Sequence, residues 1–359
     1  MAKFPLSAST RVIFLMAIVT QYAPAARAES VMIKRKFEPG SKQYVESAVE
    51  VKQKISGTPM GDMNIDVRRV YGLWETVESV EGDVAEVRLT FDRAAQWMDF
   101  PMWNNPYFDS DDPHDPDAAE LLRRIYSELI DKSINLKIKD AEIVEFGGLD
   151  EIREYISRKI GTNFIWQQMS AEFTNEQGKQ NWEEALFQLY PEKEIKVGET
   201  WDSSATAVHP KIGTTRTDFT YKLDRFTDKG GRRIAVITYD AKVDTVHGNE
   251  QPDPNAAELS GTTEGEALYD VQAGVVVSDH YTNATQIKMP IPGTGSADQP
   301  PQFMNVEVRL NADLKRQTPE ARAADKAEAR SKAEARAKAE QAEEDEEKVD
   351  DEDEDEDDD

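Results

Sequence analysis

No cysteine occurs anywhere in the chain, which excludes disulfides, thiolate chemistry and a lipidated N-terminal cysteine. Histidine is nearly as scarce. His114, His209, His247 and His280 are scattered, without the i, i+4 pairing that a helical zinc site uses. Beyond residue 28 no stretch approaches the roughly 18 apolar residues that a transmembrane helix needs, so no membrane insertion is expected of the mature chain. Positive charge is also short: 43 Lys and Arg stand against 70 Asp and Glu, for a net charge of −27. Such a field repels nucleic acid and anionic lipid surfaces. Nucleophile elbows, phosphate loops and zinc spacings are missing, and Gly293-Thr294-Gly295 lacks both a third glycine and a helix after it. With so many carboxylates some must fall close together, so no pair chosen from sequence argues acid–base catalysis. No catalytic residue and no cofactor are assigned.

Residues 1–28 have the form of a secretory signal. Lys3 and Arg11 precede the apolar run Val12–Val19, and Ala26-Arg27-Ala28 supplies small residues for cleavage before Glu29. Export to a periplasm or the extracellular space follows. Cleavage removes Lys3, Arg11 and Arg27 and takes the net charge from −27 to −30.

The dominant pattern after the signal is alternation with period two, and it occurs twice. Tyr71–Asp92 aligns without a gap on Phe219–Asp240, with Gly82 meeting Gly230 and Thr90-Phe91-Asp92 meeting Thr238-Tyr239-Asp240. In the first copy Ala85, Val87, Leu89 and Phe91 share one face; in the second Ala235, Ile237 and Tyr239 do so. The turns Glu81-Gly82-Asp83 and Lys229-Gly230-Gly231 provide the positive φ of tight hairpins. A glycine followed by an aromatic opens a strand ahead of each copy, at Gly40…Tyr44 and Gly198…Trp201. The expected fold is α+β, mainly β: two related antiparallel curved β halves with helices between them.

In chain order the pattern gives a signal (1–28), a first β half with helices (31–160), a helix and second β half (161–316), a charged helical spacer (317–341) and a disordered acidic tail (342–359). Met32–Ile55 reads as strand. A helix with Leu121, Leu122, Ile125, Leu129 and Ile130 on one side follows Asp115 as its cap and Pro116 in its first turn. Ile134–Phe146 reads as a short hairpin turning at Lys139-Asp140. Leu149, Ile152, Ile156 and Ile160 mark a second helix ending at Gly161, and Thr174-Asn175-Glu176-Gln177 opens a third by a capping box. From Thr318 an Ala/Glu/Lys/Arg run has no apolar stripe and reads as a solvated spacer. Residues 343–359 hold fifteen acids and one lysine, a tail suited to solubility or to cations and basic partners.

Three groups of residues stand out as candidate sites. Trp97, Phe100, Met102, Trp103, Tyr107 and Phe108 form an aromatic, proline-broken stretch, either a ligand or partner surface or a plug on the sheet. Leu89, Phe91, Ile237 and Tyr239 would line a cavity if the curved sheet enclosed one. Asp109, Asp111, Asp112, Asp115 and Asp117 offer hard oxygen ligands for calcium, although Pro113 and His114 exclude an EF-hand loop. A solvated acidic turn is the plainer alternative for the same residues.

The glycine-then-aromatic openings, Phe108-Asp109-Ser110 before a helix, Val197-Gly198-Glu199-Thr200-Trp201 and Tyr269-Asp270…Gly274 together resemble a family of exported bacterial proteins known only as a domain of unknown function. The resemblance spans roughly residues 31–316, with Asp140-Ala141 where a glycine is expected in the turn. At fold level the pattern is also similar to periplasmic lipid and lipoprotein carriers, whose curved sheet wraps an apolar cavity. The resemblance implies location and architecture and carries no catalytic residue. The expectation is an exported, non-enzymatic binding or scaffold protein of the cell envelope with an unidentified protein or apolar ligand as partner. The alternatives are a carrier of a lipid-like ligand and a hydrolase with dispersed carboxylates.

Overall fold

The computed structural model describes residues 29–352 apart from 59–60, 100–105, 113–114, 116–117, 162–165, 168–169, 171–172, 210–211, 247–255 and 292–301. Its strands are β1 (Ser30–Val31), β2 (Lys42–Ser56), β3 (Met63–Glu81), β4 (Val84–Asp99), β5 (Tyr107–Asp109), β6 (Ser133–Lys139), β7 (Glu142–Gly147), β8 (Ile195–Lys196), β9 (Thr200–His209), β10 (Gly213–Lys229), β11 (Arg232–Thr245), β12 (Glu258–Asp270), β13 (Val275–Pro290) and β14 (Phe303–Gln317). The described helices are α1 (Glu120–Ser127), α2 (Leu149–Ile160), α3 (Asn175–Phe187) and α4 (Pro319–Glu352).

All strands but β1 and β8 join one antiparallel sheet, in the order β7-β6-β4-β3-β2-β14-β13-β12-β11-β10-β9, with β5 added to β4. Each half is a meander that opens on the glycine–aromatic strand, β2 or β9. The long hairpins β3–β4 and β10–β11 follow, and β14 stitches β13 to β2. The two halves are therefore continuous in hydrogen bonding. The aligned glycines sit where the sequence places them, at φ +63° for Gly82 and +62° for Gly230, each opening a two-residue turn. The bulges differ, at Gly72/Leu73 and Val77/Ser79 in one hairpin and at Leu223/Arg225 in the other.

Alternation gives the sheet a polar outer face and an apolar inner face. Helices α1 and α2 cover the inner face of the first meander, burying Leu73, Val87, Leu89, Phe91, Leu122, Ile125, Ile134, Ile152 and Ile156 in one cluster. A second cluster, Trp201, Tyr221, Leu223, Ile237, Ala267 and Tyr269, lies at the far side of the same face under Val31, Ile33 and Ile195. Each large aliphatic side chain so covered contributes about 1.5–3 kcal/mol.

Three expectations need correction. Met32–Ile55 is not one strand: Gly40, at φ +80°, turns the chain, and residues before it cross the inner face as a strap. Asp115 does not cap α1, whose N-cap is Ala119 without a side-chain hydrogen bond; its carboxylate pairs with Arg336 instead. The helix from Pro319 is not a free spacer ending near 341. It runs to Glu352, into the segment expected to be a disordered tail, and its first turns are docked.

The β6–β7 turn is made by Asp140 and Ala141 at φ +48° and +65°, with no glycine in a two-residue turn that needs two left-handed residues. Ala141→Gly should stabilise the chain by about 1 kcal/mol, read from the denaturant midpoint, because it removes the Cβ penalty of that conformation. An unchanged or lower midpoint would mean that the turn is not strained.

Candidate ligand-binding trough

The strap ties the two covered regions together. Val31 pairs with Ile195, Ile33 is buried in the second cluster, and Phe37 packs on the first. Between them the Tyr269 hydroxyl donates to the Lys34 carbonyl at 2.7 Å and accepts from the Lys34 amide at 3.1 Å. Arg35 then meets Glu75 of β3, which also faces Arg316 of β14, Nη1 to Oε2 at 3.0 Å. All three side chains are buried. Burial pushes the Glu75 carboxyl up, but Arg316 and Arg35 outweigh it and hold it below the usual range.

Beyond this triad the described residues leave most of the inner face uncovered, although Val306 is 7 % exposed. On β2, β14, β13 and β12 the rows Ile55–Val306–Ile287–Leu259, Gln53–Val308–Thr285–Gly261 and Val51–Leu310–Asn283–Thr263 share that face. Their outward neighbours Lys52, Lys54, Glu307, Arg309, Gln286 and Lys288 are exposed. Among the described residues no helix packs over these rows: the first three helices sit at β4, β5 and β7, and α4 touches β2 from outside. Burial records the difference. Leu89, under the helices, is 1 % exposed, whereas Val51, Val308, Leu310, Ile287 and Leu259 are only half-buried. The polar groups in the trough are matched to each other: Asn283 donates to Thr263 Oγ1 at 2.9 Å and accepts from Thr285 Oγ1 at 2.6 Å. An apolar occupant would strand none of these groups.

One carboxylate lies at the edge of the trough next to the second cluster. Asp279 of β13 stands between Ala267 and Leu314 on the inner face. Tyr239 lies across Gly265, where a Cβ would come within 2.3 Å of its ring, and donates its hydroxyl to Asp279 Oδ1 at 2.9 Å. Burial raises the Asp279 carboxyl to about 6, against the pull of the Tyr239 hydrogen bond and His280.

The acidic loop is on the outer face, where arginines meet it. Asp109 is bound by Arg93 at 2.6 Å, and Asp111 is gripped by both terminal nitrogens of Arg322 at 2.8 Å. Arg322 also reaches Asp92, and its guanidinium lies 4.6 Å from the ring of buried Tyr44. Arg336 pairs with Asp112 and Asp115, each at 2.6 Å. Among the described residues no group of three His, Asp or Glu is arranged to hold a metal ion. The cations these four acids face are guanidinium groups, and Asp117 lies outside the described residues. A 390 Å³ cleft of mixed charge remains between α4 and this loop.

The aromatic stretch separates into parts. Phe108 is buried and stacks on Tyr126 at 6.2 Å, so it is core. Trp97 and Tyr107 pair across β4 and β5 as half-buried residues, with the Arg68 guanidinium 5.1 Å from the Trp97 ring. Phe100, Met102 and Trp103 lie outside the described residues. The four expected cavity residues do not line one cavity. Leu89 and Phe91 belong to the cluster filled by helices and Ile237 to the other, with Tyr239 packed against it. Val49 and Val51 of β2 read as inward-facing from sequence, whereas Asp279, Arg322 and the β14 residues Val306, Val308, Leu310 and Ala312 do not stand out there, although the phase of the last four marks the same face.

These features define a mainly β protein whose large antiparallel sheet carries a partly covered, largely aliphatic trough on its inner face. Residues 82–276, more than half of the chain, match a family of unknown function (DUF6263), and the chain belongs to that family. No curated protein matches it. Among solved structures, one of lipid–protein interactions in lipovitellin aligns at 8% identity with a TM-score of 0.41, over 79% of this chain and 26% of that one. This chain thus spans about a quarter of that protein's length. A putative outer membrane lipoprotein-sorting protein domain from Vibrio parahaemolyticus aligns at 11% identity and TM-score 0.12, over 76% of this chain and 86% of that one.

Two outcomes are expected. Ionising Asp279 costs the folded chain more than the unfolded one, so stability falls as pH rises from about 3.8 towards about 6 and stays lower above. Asp279→Asn should therefore stabilise the protein at pH 8, by at most about 3 kcal/mol, and change little at pH 4. Equal melting shifts at both pH values would contradict a raised carboxyl. Arg322→Ala leaves Asp111 to Arg93 at 3.4 Å and Asp92 to Lys326 at 3.3 Å and should cost on the order of 2 kcal/mol, with α4 becoming cleavable in limited proteolysis. Continued protection of α4 would show that Arg322 does not hold it.

Proposed function

We propose that this is an exported, non-enzymatic binding protein of the cell envelope that carries an elongated apolar ligand along the trough. One observation carries the reading: on a single amphipathic sheet, both ends of the inner face are covered by the chain's own helices and strap, and the rows between them are left half-open. An antiparallel sheet with one apolar face is stable when that face is covered, and a continuous uncovered apolar patch marks an interaction site. Four strands at their ordinary spacing make a surface roughly 15–20 Å across, enough for an extended chain molecule. Export is supported by the signal-like first 28 residues.

Native mass spectrometry of the mature chain, purified gently after export from a bacterial host, should show one apolar mass per protein that solvent extraction removes. Leu310→Glu should abolish that mass while changing stability by less than about 1 kcal/mol, because Leu310 is half-buried. An apo mass that takes up no added amphipath would overturn the carrier reading.

A further inference from the structure

The trough mixes aliphatic side chains with the neutral polar groups of Gln53, Thr285, Asn283 and Thr263 and carries one carboxylate, Asp279, at the edge next to the second cluster. Tyr239 spans a whole strand over Gly265 to reach it, a reach that any side chain at position 265 would block. The neutral hydroxyl of Tyr239 and the backbone N–H of His280 donate to the carboxylate, and neither carries a full countercharge. Asp313 adds repulsion from the opposite face. Ala267 of β12 and Leu314 of β14 carry no charge, and on the opposite face of the sheet His280 is turned to Asp313, Nδ1 to Oδ1 at 2.9 Å. Across the trough Arg69 of β3 is directed at Gln96, its Nε donating at 3.1 Å.

We propose that Asp279 is the head-group site of the trough and selects an amphipath whose head is a protonated amine, the ammonium binding the carboxylate while the chain lies along Leu310, Val308 and Val51. This rests on the trough reading above and adds the ligand's chemical class. A partly desolvated carboxylate gains far more from a cation than from a second neutral donor, and it repels an anionic head. The chain's acidity works in the same direction: a protein at −27 concentrates cations and excludes anions near its surface. Burial, which raises the carboxyl to about 6, makes the selection dependent on pH. Protonated Asp279 offers a neutral acid to the ammonium and loses its hold.

The test is calorimetric titration of the mature chain with dodecylammonium, dodecanol and dodecanoate, each below its micelle concentration, at pH 8 and pH 5. Dodecylammonium should bind about tenfold tighter than dodecanol at pH 8, with the preference shrinking several-fold at pH 5 and dodecanoate weakest. Asp279→Asn should erase the preference at pH 8 while dodecanol binding persists. Tyr239→Phe, which keeps the carboxylate, should retain the preference and so guard against a folding defect in the first variant. Dodecanol binding without any ammonium preference, a preference that survives in Asp279→Asn, or tighter binding of dodecanoate would each overturn the head-group site and leave the trough standing. Failure of all three probes to bind would overturn both.

Discussion

The contact on which the rest depends is the buried triad Arg35–Glu75–Arg316. It joins three segments far apart in sequence: the strap before β2, the middle of β3 and the end of β14. Glu75 is the member that cannot be lost, because without it two buried guanidinium groups would face each other with no countercharge. The strap is thereby fixed across the inner face, and through Tyr269 and Ile33 it also closes the second cluster. One ionic contact sets where the covered part of the sheet ends and where the trough begins.

A sheet of this length presents more apolar surface than three short helices and a ten-residue strap can cover. The uncovered remainder is not a packing defect. Its threonine and asparagine groups satisfy one another, the row Ile55–Val306–Ile287–Leu259 is aliphatic across four strands, and the outer face opposite is mainly polar. Asp279 gives the trough a chemical polarity, neutral along its length and anionic at one edge. The outer face is governed by a different balance, in which arginines of α4 and β4 neutralise acids that would otherwise repel each other.

Much of the β architecture was legible in the chain. Period-two alternation, the paired glycine turns and the Thr174 cap all mark the elements they form, because each depends only on neighbouring residues; Thr174 Oγ1 accepts from the Gln177 amide at 3.1 Å. The strap reads as strand in sequence because it runs straight into the alternating segment from Tyr44, and only the turn at Gly40 detaches it. Leu89, Phe91 and Ile237 were correctly placed on an inward face. Whether a helix covers that face or leaves it open is a long-range fact that alternation does not encode.

The same limit explains the acidic loop and the helix from Pro319. Read locally, five aspartates suggest calcium and a helix polar all round suggests a solvated spacer. In the fold the two meet, and Arg322 is 3 % exposed between Tyr44, Asp92 and Asp111. The sequence by itself determined the strand pattern, the turns, the acidity and the signal-like start, since these follow from local geometry and composition. Tertiary structure alone decided that the two meanders form one sheet, that arginines meet the aspartates, and that none of the described helices covers the inner face at β14. Those outcomes depend on residues more than two hundred positions apart being brought within a few ångströms, and on which apolar rows remain once the chain has run out of elements to cover them.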